Sequence, residues 1–238
     1  MTWVKICGTT NLEDALIAVE AGADAVGFVF YEKSPRNLSA RAAQEIIHEL
    51  PISIEKVGVF VNAAEEVIDS VIEETAITAV QMHGDNEDPD VADRIVERRS
   101  GIKIIPAISM KRPNPESRAT MWDSKLVYAF LLDSGANGKN GGTGERFDWN
   151  GSSDSVDAIR AIGRFVAAGG LCPSNVSGAM DVLKPWGVDV VSGVEASPGK
   201  KDREKVRSFL RAVRAYDRRV NKATAYSSPA SPVRNDIE

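Results

Sequence analysis

The stretch DAVGFVF at residues 24–30 is short, apolar on consecutive positions and rich in β-branched residues, and KVGVFV at 56–61 and AVQMHG at 79–84 repeat this pattern. Such runs predict parallel strands that are covered on both faces. An amphipathic segment follows each run, at 39–50, 63–74 and 88–98. The early part of the chain therefore predicts a repeating unit of one strand and one helix.

Five further runs complete a set of eight predicted strands: VKICG at 4–8, IKIIPAIS at 102–109, LVYAFLLD at 126–133, GRFVAAGG at 163–170 and VDVVSGV at 188–194. Five more amphipathic segments complete the helices, at 11–21, 115–122, 154–161, 174–183 and 202–216. We expect the helix near 115–122 to be brief or broken, because KRPNPESRATMWD is rich in proline. Eight such units predict an α/β fold of the (β/α)8 TIM barrel type, although periodicity alone leaves a Rossmann-like open sheet as an alternative.

The starts of the predicted helices carry residues that commonly cap a helix. We expect the caps to be Asn11, Ser39, Asn62, Ser174 and Asp202.

The length of 238 residues suits one barrel. We predict a single catalytic domain over residues 1–217 and a polar, disordered tail over 218–238. The stretch NKATAYSSPASPVRNDIE, from residue 221, carries two Ser-Pro steps and almost no large apolar residue.

The composition excludes several classes of protein. The formal net charge of -5 argues against binding to nucleic acid or to an anionic membrane surface. No apolar run is long enough to cross a bilayer and the amino terminus lacks a signal-like pattern, so we expect a cytoplasmic protein. The two cysteines, Cys7 and Cys172, have no metal-ligand spacing, which argues against a zinc site or a disulfide framework.

The carboxyl ends of barrel strands are where catalytic groups are expected. Cys7 at the end of the first predicted strand and Asp133 at the end of the sixth are one thiol and one carboxylic acid, suited to proton transfer. The alternative for Cys7 is a small buried hydrophobic residue. The alternative for Asp133 is a carboxylate that caps the glycine-rich loop after it.

Glycine clusters after the late strands predict a phosphate site, because glycine lets backbone N–H groups approach an anion closely. The first cluster is GGTG at 141–144, which contains Gly142, and the others are Gly169 with Gly170 and Ser192 with Gly193. Simple turns would also explain them.

Arg36 lies in the loop after the second predicted strand, and His83 lies at the end of the fourth. The planar fork of Arg36 suits a substrate carboxylate, although a solvated loop arginine is the alternative. His83 has no second metal ligand nearby, so we expect it to hydrogen-bond the substrate or a neighbouring loop.

Several motifs follow one another in a characteristic order: KICG at 5–8, GFVF with SPR at 27–36, VGVFV at 57–61, QMHG at 81–84, GGTGERFDW at 141–149, AGGLCPSNV at 168–176 and VDVVSGVEASPGKKD at 188–202. Together they resemble the phosphoribosylanthranilate isomerase family over residues 4 to about 215. The resemblance implies an Amadori rearrangement in tryptophan biosynthesis that converts N-(5-phosphoribosyl)anthranilate to 1-(2-carboxyphenylamino)-1-deoxyribulose 5-phosphate and uses no cofactor or metal.

The resemblance also implies roles for individual residues. Asp133 would protonate the ring oxygen to open the furanose to a Schiff base, and Cys7 would then remove the proton from C2. Arg36 would hold the anthranilate carboxylate. The loops around Gly169, Gly170, Ser192 and Gly193 would hold the phosphate.

Two positions depart from the family pattern. Val191 stands where a second serine is common, which puts one hydroxyl near the phosphate in doubt, and Met82 replaces a leucine of similar volume.

Two other functions are alternatives for a barrel with these motifs. The histidine-pathway isomerase performs the same rearrangement on an aminoimidazole carboxamide ribotide, but it resembles a twofold-repeated barrel with aspartate in the place of Cys7. The other is a non-catalytic phosphate-binding barrel. The sequence leaves the oligomeric state and dual activity on both ribotides open.

Overall fold

The computed structural model describes residues 1–84, 88–135 and 147–227, with side chains up to residue 223. Eight parallel strands form a closed barrel in the order of the chain. The strands are β1 (Trp3–Ile6), β2 (Ala25–Phe30), β3 (Glu55–Val61), β4 (Ala79–His83), β5 (Lys103–Ser109), β6 (Phe130–Asp133), β7 (Phe165–Ala167) and β8 (Gly187–Val190). Pairing of β1 with β8, from Trp3 opposite Gly187 to Ile6 opposite Val190, closes the barrel. The predicted (β/α)8 fold is confirmed, and the open sheet is excluded.

A helix follows each strand of the barrel. They are α1 (Leu12–Glu20), α2 (Ala40–His48), α3 (Glu65–Thr75), α4 (Pro89–Arg98), α5 (Pro115–Ala119), α6 (Ser153–Ile162), α7 (Val176–Leu183) and α8 (Arg203–Ser227). The weak fifth helix is brief, as predicted, at five residues. In the part of the chain that the structure describes, no helix has the length and apolar character needed to span a membrane.

Side chains on each strand alternate between the barrel interior and the helices, because successive residues of a strand point to opposite faces. In β1, Val4 and Ile6 join the large core beneath the helices, whereas Trp3 belongs to a smaller cluster with Ala25 and Val57. Lys5 and Cys7 share the inward direction of Trp3. The same alternation directs catalytic candidates inward at the carboxyl ends of the strands.

Three of the five predicted caps are confirmed. The side chains of Asn11 and Ser39 accept hydrogen bonds from the first turns of α1 and α2, and Asp202 accepts from the backbone of Glu204 and Lys205.

The other two predicted caps were wrong. Helix α3 begins after Ala64, because Asn62 still pairs with β4 by donating its N–H to the His83 carbonyl. Helix α7 begins after Asn175 rather than Ser174, and the Asn175 side chain binds the Cys172 N–H and the Gly170 carbonyl.

The chain after β8 differs from the prediction of one strand to residue 194. A 3-10 turn spans Ser192–Val194, and a small antiparallel hairpin follows, formed by β9 (Glu195–Ser197) and β10 (Lys200–Lys201). The polar residues of this hairpin reach the barrel mouth, as described below. Its formation depends on those tertiary contacts, which the apolar pattern of the sequence does not record.

The carboxyl-terminal helix also runs further than predicted. The sequence placed a disordered tail from residue 218, but α8 continues to Ser227. Residues such as Arg219 and Lys222 have good intrinsic helix propensity, and Arg219 forms an ion pair with Asp181 of α7 at 2.7 Å. The rest of the predicted tail, 228–238, lies outside the described residues.

Candidate active site

A cavity opens at the carboxyl end of the barrel strands. Cys7, Arg36, His83, Asp133 and Ser192 line it, together with Gly169 and Gly170. Side chains predicted from six separate parts of the chain are therefore brought to one site. Gly142 belongs to a loop outside the described residues. The carboxyl-terminal mouth of a barrel is where small-molecule ligands bind in this fold.

Cys7 follows β1 directly, and its N–H donates to the Val190 carbonyl of β8 at 2.9 Å. Cys7 is 4% exposed. Gly27 of β2 makes room for its side chain, because a Cβ added at Gly27 would lie 2.5 Å from the sulfur. The absence of a side chain at the first position of GFVF therefore leaves space for the thiol.

Burial raises the pKa of the Cys7 thiol, because the charged thiolate loses water. The positive charges of Lys5 and Lys201 act in the opposite direction, and the negative charge of Asp189 adds to the rise. The sequence-based alternative that Cys7 is only a buried hydrophobic residue does not account for these charges around the sulfur.

Lys5 lies at the centre of the barrel and is fully buried. Its ammonium donates to Asp189 Oδ1 at 2.9 Å and to Gln81 Oε1 at 2.8 Å. Burial is the largest single influence and would lower the pKa of Lys5, but the negative charge and hydrogen bond of Asp189 together with those of Cys7 outweigh it, and the pKa is raised. The ammonium form is therefore favoured inside the barrel.

Asp133 ends β6, and only 7% of the residue is exposed. His83 Nε2 of β4 lies 3.8 Å from its Oδ2, and the hydroxyl of Ser134 donates to its Oδ1 at 3.4 Å. Gly169 has a φ of +81°, and a Cβ there would lie 2.5 Å from the Ser134 hydroxyl. The loop after β7 thus packs tightly against the end of β6.

Arg36 is paired inside the protein rather than solvated. Its Nε and Nη2 donate to both carboxylate oxygens of Glu195, at 2.8 and 2.7 Å. Gly8 permits this placement, because a Cβ there would lie 2.5 Å from Arg36 Cδ. A guanidinium carries five N–H groups, so donors beyond those two hydrogen bonds are available to a ligand.

Glu195 is the acceptor for a second buried cation. Lys201 of β10 places its ammonium 3.2 Å from Glu195 Oε1 and donates to the Cys7 carbonyl at 2.6 Å. Burial would raise the pKa of Glu195, but hydrogen bonds from Arg36 and the charge of Lys201 lower it. Burial lowers the pKa of Lys201.

A second, shallower cavity adjoins the first through Gly170, Leu171 and Ser192. Its lining also includes Cys172, Ser174, Asn175 and Gly193. Helix α7 begins beside this second cavity, and the amino terminus of a helix favours the binding of an anion. The two predicted glycine clusters that the structure describes therefore face one recess beside the main cavity.

Several polar residues of the site were missed by sequence reasoning. They are Lys5, Asp189, Glu195 and Lys201. A signal existed for Lys5 and Asp189, because each interrupts an apolar strand run, where an unpaired charge would be costly. Glu195 and Lys201 had no such signal, since they follow the last strand in a polar stretch.

Comparison with known proteins agrees with this geometry. The family model described as N-(5'phosphoribosyl)anthranilate (PRA) isomerase matches residues 4–212. An N-(5'-phosphoribosyl)anthranilate isomerase from Geobacter sp. (strain M21) is 49% identical over 210 residues, which cover 88% of this chain and 97% of that protein. The family matches far more than half of the chain.

Solved structures support the same relationship. The phosphoribosyl anthranilate isomerase of Thermotoga maritima is similar with a TM-score of 0.80 and 43% identity, covering 90% of this chain and all of that one. A phosphoribosyl anthranilate isomerase solved in complex with reduced 1-(o-carboxyphenylamino)-1-deoxyribulose 5-phosphate has a TM-score of 0.76 and 41% identity, over 90% of this chain and all of that one. This chain belongs to the N-(5'-phosphoribosyl)anthranilate isomerase family.

Proposed function

We propose that Cys7 is the general base and Asp133 the general acid of the isomerisation that defines this family. The reaction converts N-(5-phosphoribosyl)anthranilate to 1-(2-carboxyphenylamino)-1-deoxyribulose 5-phosphate by an Amadori rearrangement in tryptophan biosynthesis. The observation that carries the assignment is the meeting of one thiol and one carboxylic acid, from β1 and β6, in a single cavity. Cys7 and Asp133 are far apart in the sequence, so only the closed barrel brings them together.

The two groups divide the proton transfers of the rearrangement. Asp133 in its acid form gives a proton to the furanose oxygen as the C1–O bond breaks, and the anilino nitrogen supplies the electrons that form the Schiff base. Cys7 as thiolate then takes the proton from C2, and the electrons of that C–H bond form an enolamine. The enolamine tautomerises to the ketose. A positioned acid and base of this kind contribute about 10²- to 10⁴-fold each.

The two ends of the substrate have matching partners in the cavity. Arg36 would bind the anthranilate carboxylate with the N–H groups that Glu195 does not use. The backbone around Gly169, Gly170, Ser192 and Gly193 would bind the phosphate, and His83 would hydrogen-bond the substrate beside Asp133. Fixing both ends leaves the reacting carbons between thiol and carboxylate, and positioning then supplies much of the rate.

The ligand of the solved relative supports this arrangement, because it carries a carboxyphenyl group at one end and a phosphate at the other. Val191, where a second serine is common in the family pattern, lines the main cavity. Backbone donors are sufficient for a phosphate in the absence of one hydroxyl. Location in the cytoplasm stays a prediction.

The test measures the fall of anthranilate-type fluorescence when the protein meets freshly made phosphoribosylanthranilate. Cys7→Ser and Asp133→Asn should each lower kcat/KM by at least about 100-fold. Asp154→Asn, which changes an exposed aspartate of α6, serves as the matched control and should keep the parental value.

Each outcome bears on a different part of the proposal. A folded Cys7→Ser or Asp133→Asn variant with parental turnover would remove that residue from its role. A folded parent with no turnover above the spontaneous rate would contradict the activity itself, and the aminoimidazole carboxamide ribotide would be assayed next.

A further inference from the structure

A general base at Cys7 must lose its proton, yet the thiol sits where burial opposes ionisation. A charge close to the sulfur has to offset that cost. One buried cation in the core of the barrel, Lys5, has no role in the proposed substrate contacts. It is therefore a candidate for supplying this charge.

We propose that Lys5 is a positioning residue, which Asp189 and Gln81 hold in place so that its ammonium supplies the positive charge that the Cys7 thiolate requires. The inference rests on the proposed role of Cys7 as the base. It goes beyond that role, because Lys5 lies below the cavity and is absent from its lining.

Lys5 and Cys7 are neighbours along the inner face of the barrel. Lys5 is in β1 and Cys7 follows its end, two positions further along the chain, so both side chains point into the barrel. A Cβ added at Gly27 would lie 2.5 Å from the Cys7 sulfur and 3.0 Å from Lys5 Cε, so the two side chains border the same small space. Any larger residue at position 27 would separate them.

The ammonium is fixed rather than free to move. Lys5 is fully buried, and it donates to Asp189 and Gln81 at 2.9 and 2.8 Å. An ammonium carries three N–H groups, and these two acceptors lie on β8 and β4. The third N–H remains for the sulfur on β1.

Two other cations, Lys201 and Arg36, lie near the thiol, but both are paired with the Glu195 carboxylate. Lys201 donates to the Cys7 carbonyl and pairs with Glu195, and Arg36 pairs with both oxygens of Glu195. Asp133 and His83 line the same cavity on the opposite strands. The charged and titratable groups considered around Cys7 are therefore Lys5, Asp189, Lys201, Arg36, Glu195, Asp133 and His83.

A purely structural ion pair in the barrel core is the competing explanation for Lys5. It predicts that changes at Lys5 and Asp189 affect stability and leave the thiol unaffected. The electrostatic role predicts opposite effects of the two changes on the thiol, because Lys5 lowers the pKa of Cys7 and Asp189 raises it.

The experiment measures the pH dependence of alkylation of Cys7 by iodoacetamide in the free enzyme, read by mass spectrometry of the Cys7 peptide. Lys5→Met should move the midpoint upward by about one to three pH units, since a cation within a few ångströms contributes that much. One unit corresponds to tenfold slower alkylation below the midpoint. Asp189→Asn should move the midpoint downward.

Two controls are built into the chain. Lys56→Met removes another buried strand lysine, which binds the Pro51 carbonyl far from the thiol, and should leave the midpoint unchanged. The second cysteine, Cys172, is alkylated in the same samples and should give one profile in all variants.

An unchanged midpoint in folded Lys5→Met, or a shift in the same direction in both variants, would overturn the proposal. If Lys5→Met does not fold, the direction of the shift in Asp189→Asn decides it alone. The assay contains no substrate, so it is independent of turnover. If the alkylation midpoint shifts in opposite directions in Lys5→Met and Asp189→Asn but Cys7→Ser is fully active, Lys5 does lower the pKa of the thiol and Cys7 is not the base.

Discussion

Single glycines set the distances between the loops that line the cavity. Gly193 is the tightest case, because a Cβ there would lie 1.9 Å from the Leu171 carbonyl oxygen. The obstacle is backbone, which cannot rotate away as a side chain can. The loops after β7 and β8 therefore meet at the second cavity only with glycine at this position.

Gly193→Ala should raise the KM for the phosphorylated substrate by at least about tenfold, because the two loops must separate and the anion loses about one charge-assisted hydrogen bond. Steady-state kinetics measure this. Gly178→Ala is the control, since Gly178 lies in α7 with open space around its Cβ position. It should leave KM unchanged and stabilise the helix by about 0.5–1 kcal/mol. Equal KM values in both variants would contradict the role of Gly193.

Arg36→Met should lower the free energy of unfolding by about 3–5 kcal/mol, because it leaves the buried Glu195 carboxylate without its bidentate partner. Chemical denaturation measures the change. Arg41→Met is the matched control, since Arg41 and its partner Glu45 are exposed, and it should change stability by less than about 1 kcal/mol. If Arg36→Met and Arg41→Met lowered the free energy of unfolding by similar amounts, the buried Arg36–Glu195 pair would contribute no more stability than an exposed pair.

The hairpin of β9 and β10 holds residues of the site in place on the β1 and β8 side. It carries Glu195 and Lys201, which connect the Arg36 guanidinium to the Cys7 carbonyl. The backbone N–H of Lys201 also donates to the Asp14 carboxylate of α1 at 2.8 Å. This element is short, so its conformation depends on these polar contacts rather than on a core of its own.

The stability that Glu195 contributes should depend on pH below its ordinary pKa, near 4.5. Its folded-state pKa is lowered, so the contribution is complete above the unfolded value and is lost as pH falls through the lower folded value. Urea unfolding at a series of pH values down to about 3 should show this loss in the parent, and Glu195→Gln should show a flatter dependence. Glu45→Gln, an exposed change of the same kind, controls for the loss of one charge. Identical slopes in Glu195→Gln and the parent would refute the prediction.

Helix α8 is attached to the barrel mainly through its first half. Phe209, Leu210 and Val213 are buried in the core, and Asp217 accepts hydrogen bonds from Thr2 N and Oγ1 at 3.1 and 2.6 Å. Beyond Asp217 the described side chains are exposed. The packing contribution of the helix should therefore end near residue 217.

A chain that stops after Asn221 should keep the parental melting temperature and kcat/KM. A chain that stops after Tyr216 should lose about 1–3 kcal/mol, because the Thr2 donors lose their buried acceptor. Thermal unfolding distinguishes the two, and Asp217→Ala in the full chain should reproduce the second result. Equal losses in both truncations would place the stabilising contacts beyond residue 221.

The two ends of the barrel serve different purposes. The carboxyl end holds the cavity, whereas the amino end holds an aromatic cluster in which Trp186 stacks on Trp3 at 5.3 Å and meets Tyr128 edge-on at 5.5 Å. Arg164 lies 4.1 Å above Trp186. Because the cavity and the aromatic cluster lie at opposite ends of the barrel, stability and catalysis can vary independently in this fold.

Trp186→Ala should lower the free energy of unfolding by about 3 kcal/mol, the lower end for removal of a large aromatic residue, since Trp186 is only half-buried. The value of kcat/KM at 25 °C should stay within about twofold of the parent, because no group in the cavity moves. Denaturation and kinetics on one preparation measure both. A large fall in kcat/KM in the folded variant would show that the two ends are coupled.

The periodicity of the chain was sufficient for the barrel. Consecutive apolar runs and intervening amphipathic segments are local properties, so the eight strands and their helices were predicted within a few residues, except for the end of α8. Boundaries failed where a tertiary contact outweighed local pattern, as at Asn62, which extends the β3–β4 pairing, and in the hairpin after β8. The length of α8 was underestimated because polar composition was taken as disorder, whereas intrinsic propensity and a cross-helix ion pair continue the helix.

Cys7, Asp133, Arg36 and the glycine loops could be named from sequence because strand ends of a barrel converge and because their motifs follow the family order. What the sequence determined by itself was therefore the fold, the family and several of the residues that face the cavity. Only the tertiary structure decided the pairing of Arg36 with Glu195 and of Lys5 with Asp189. These pairs join residues more than 150 positions apart, and the burial that makes a lone charge so costly exists only once the barrel has closed.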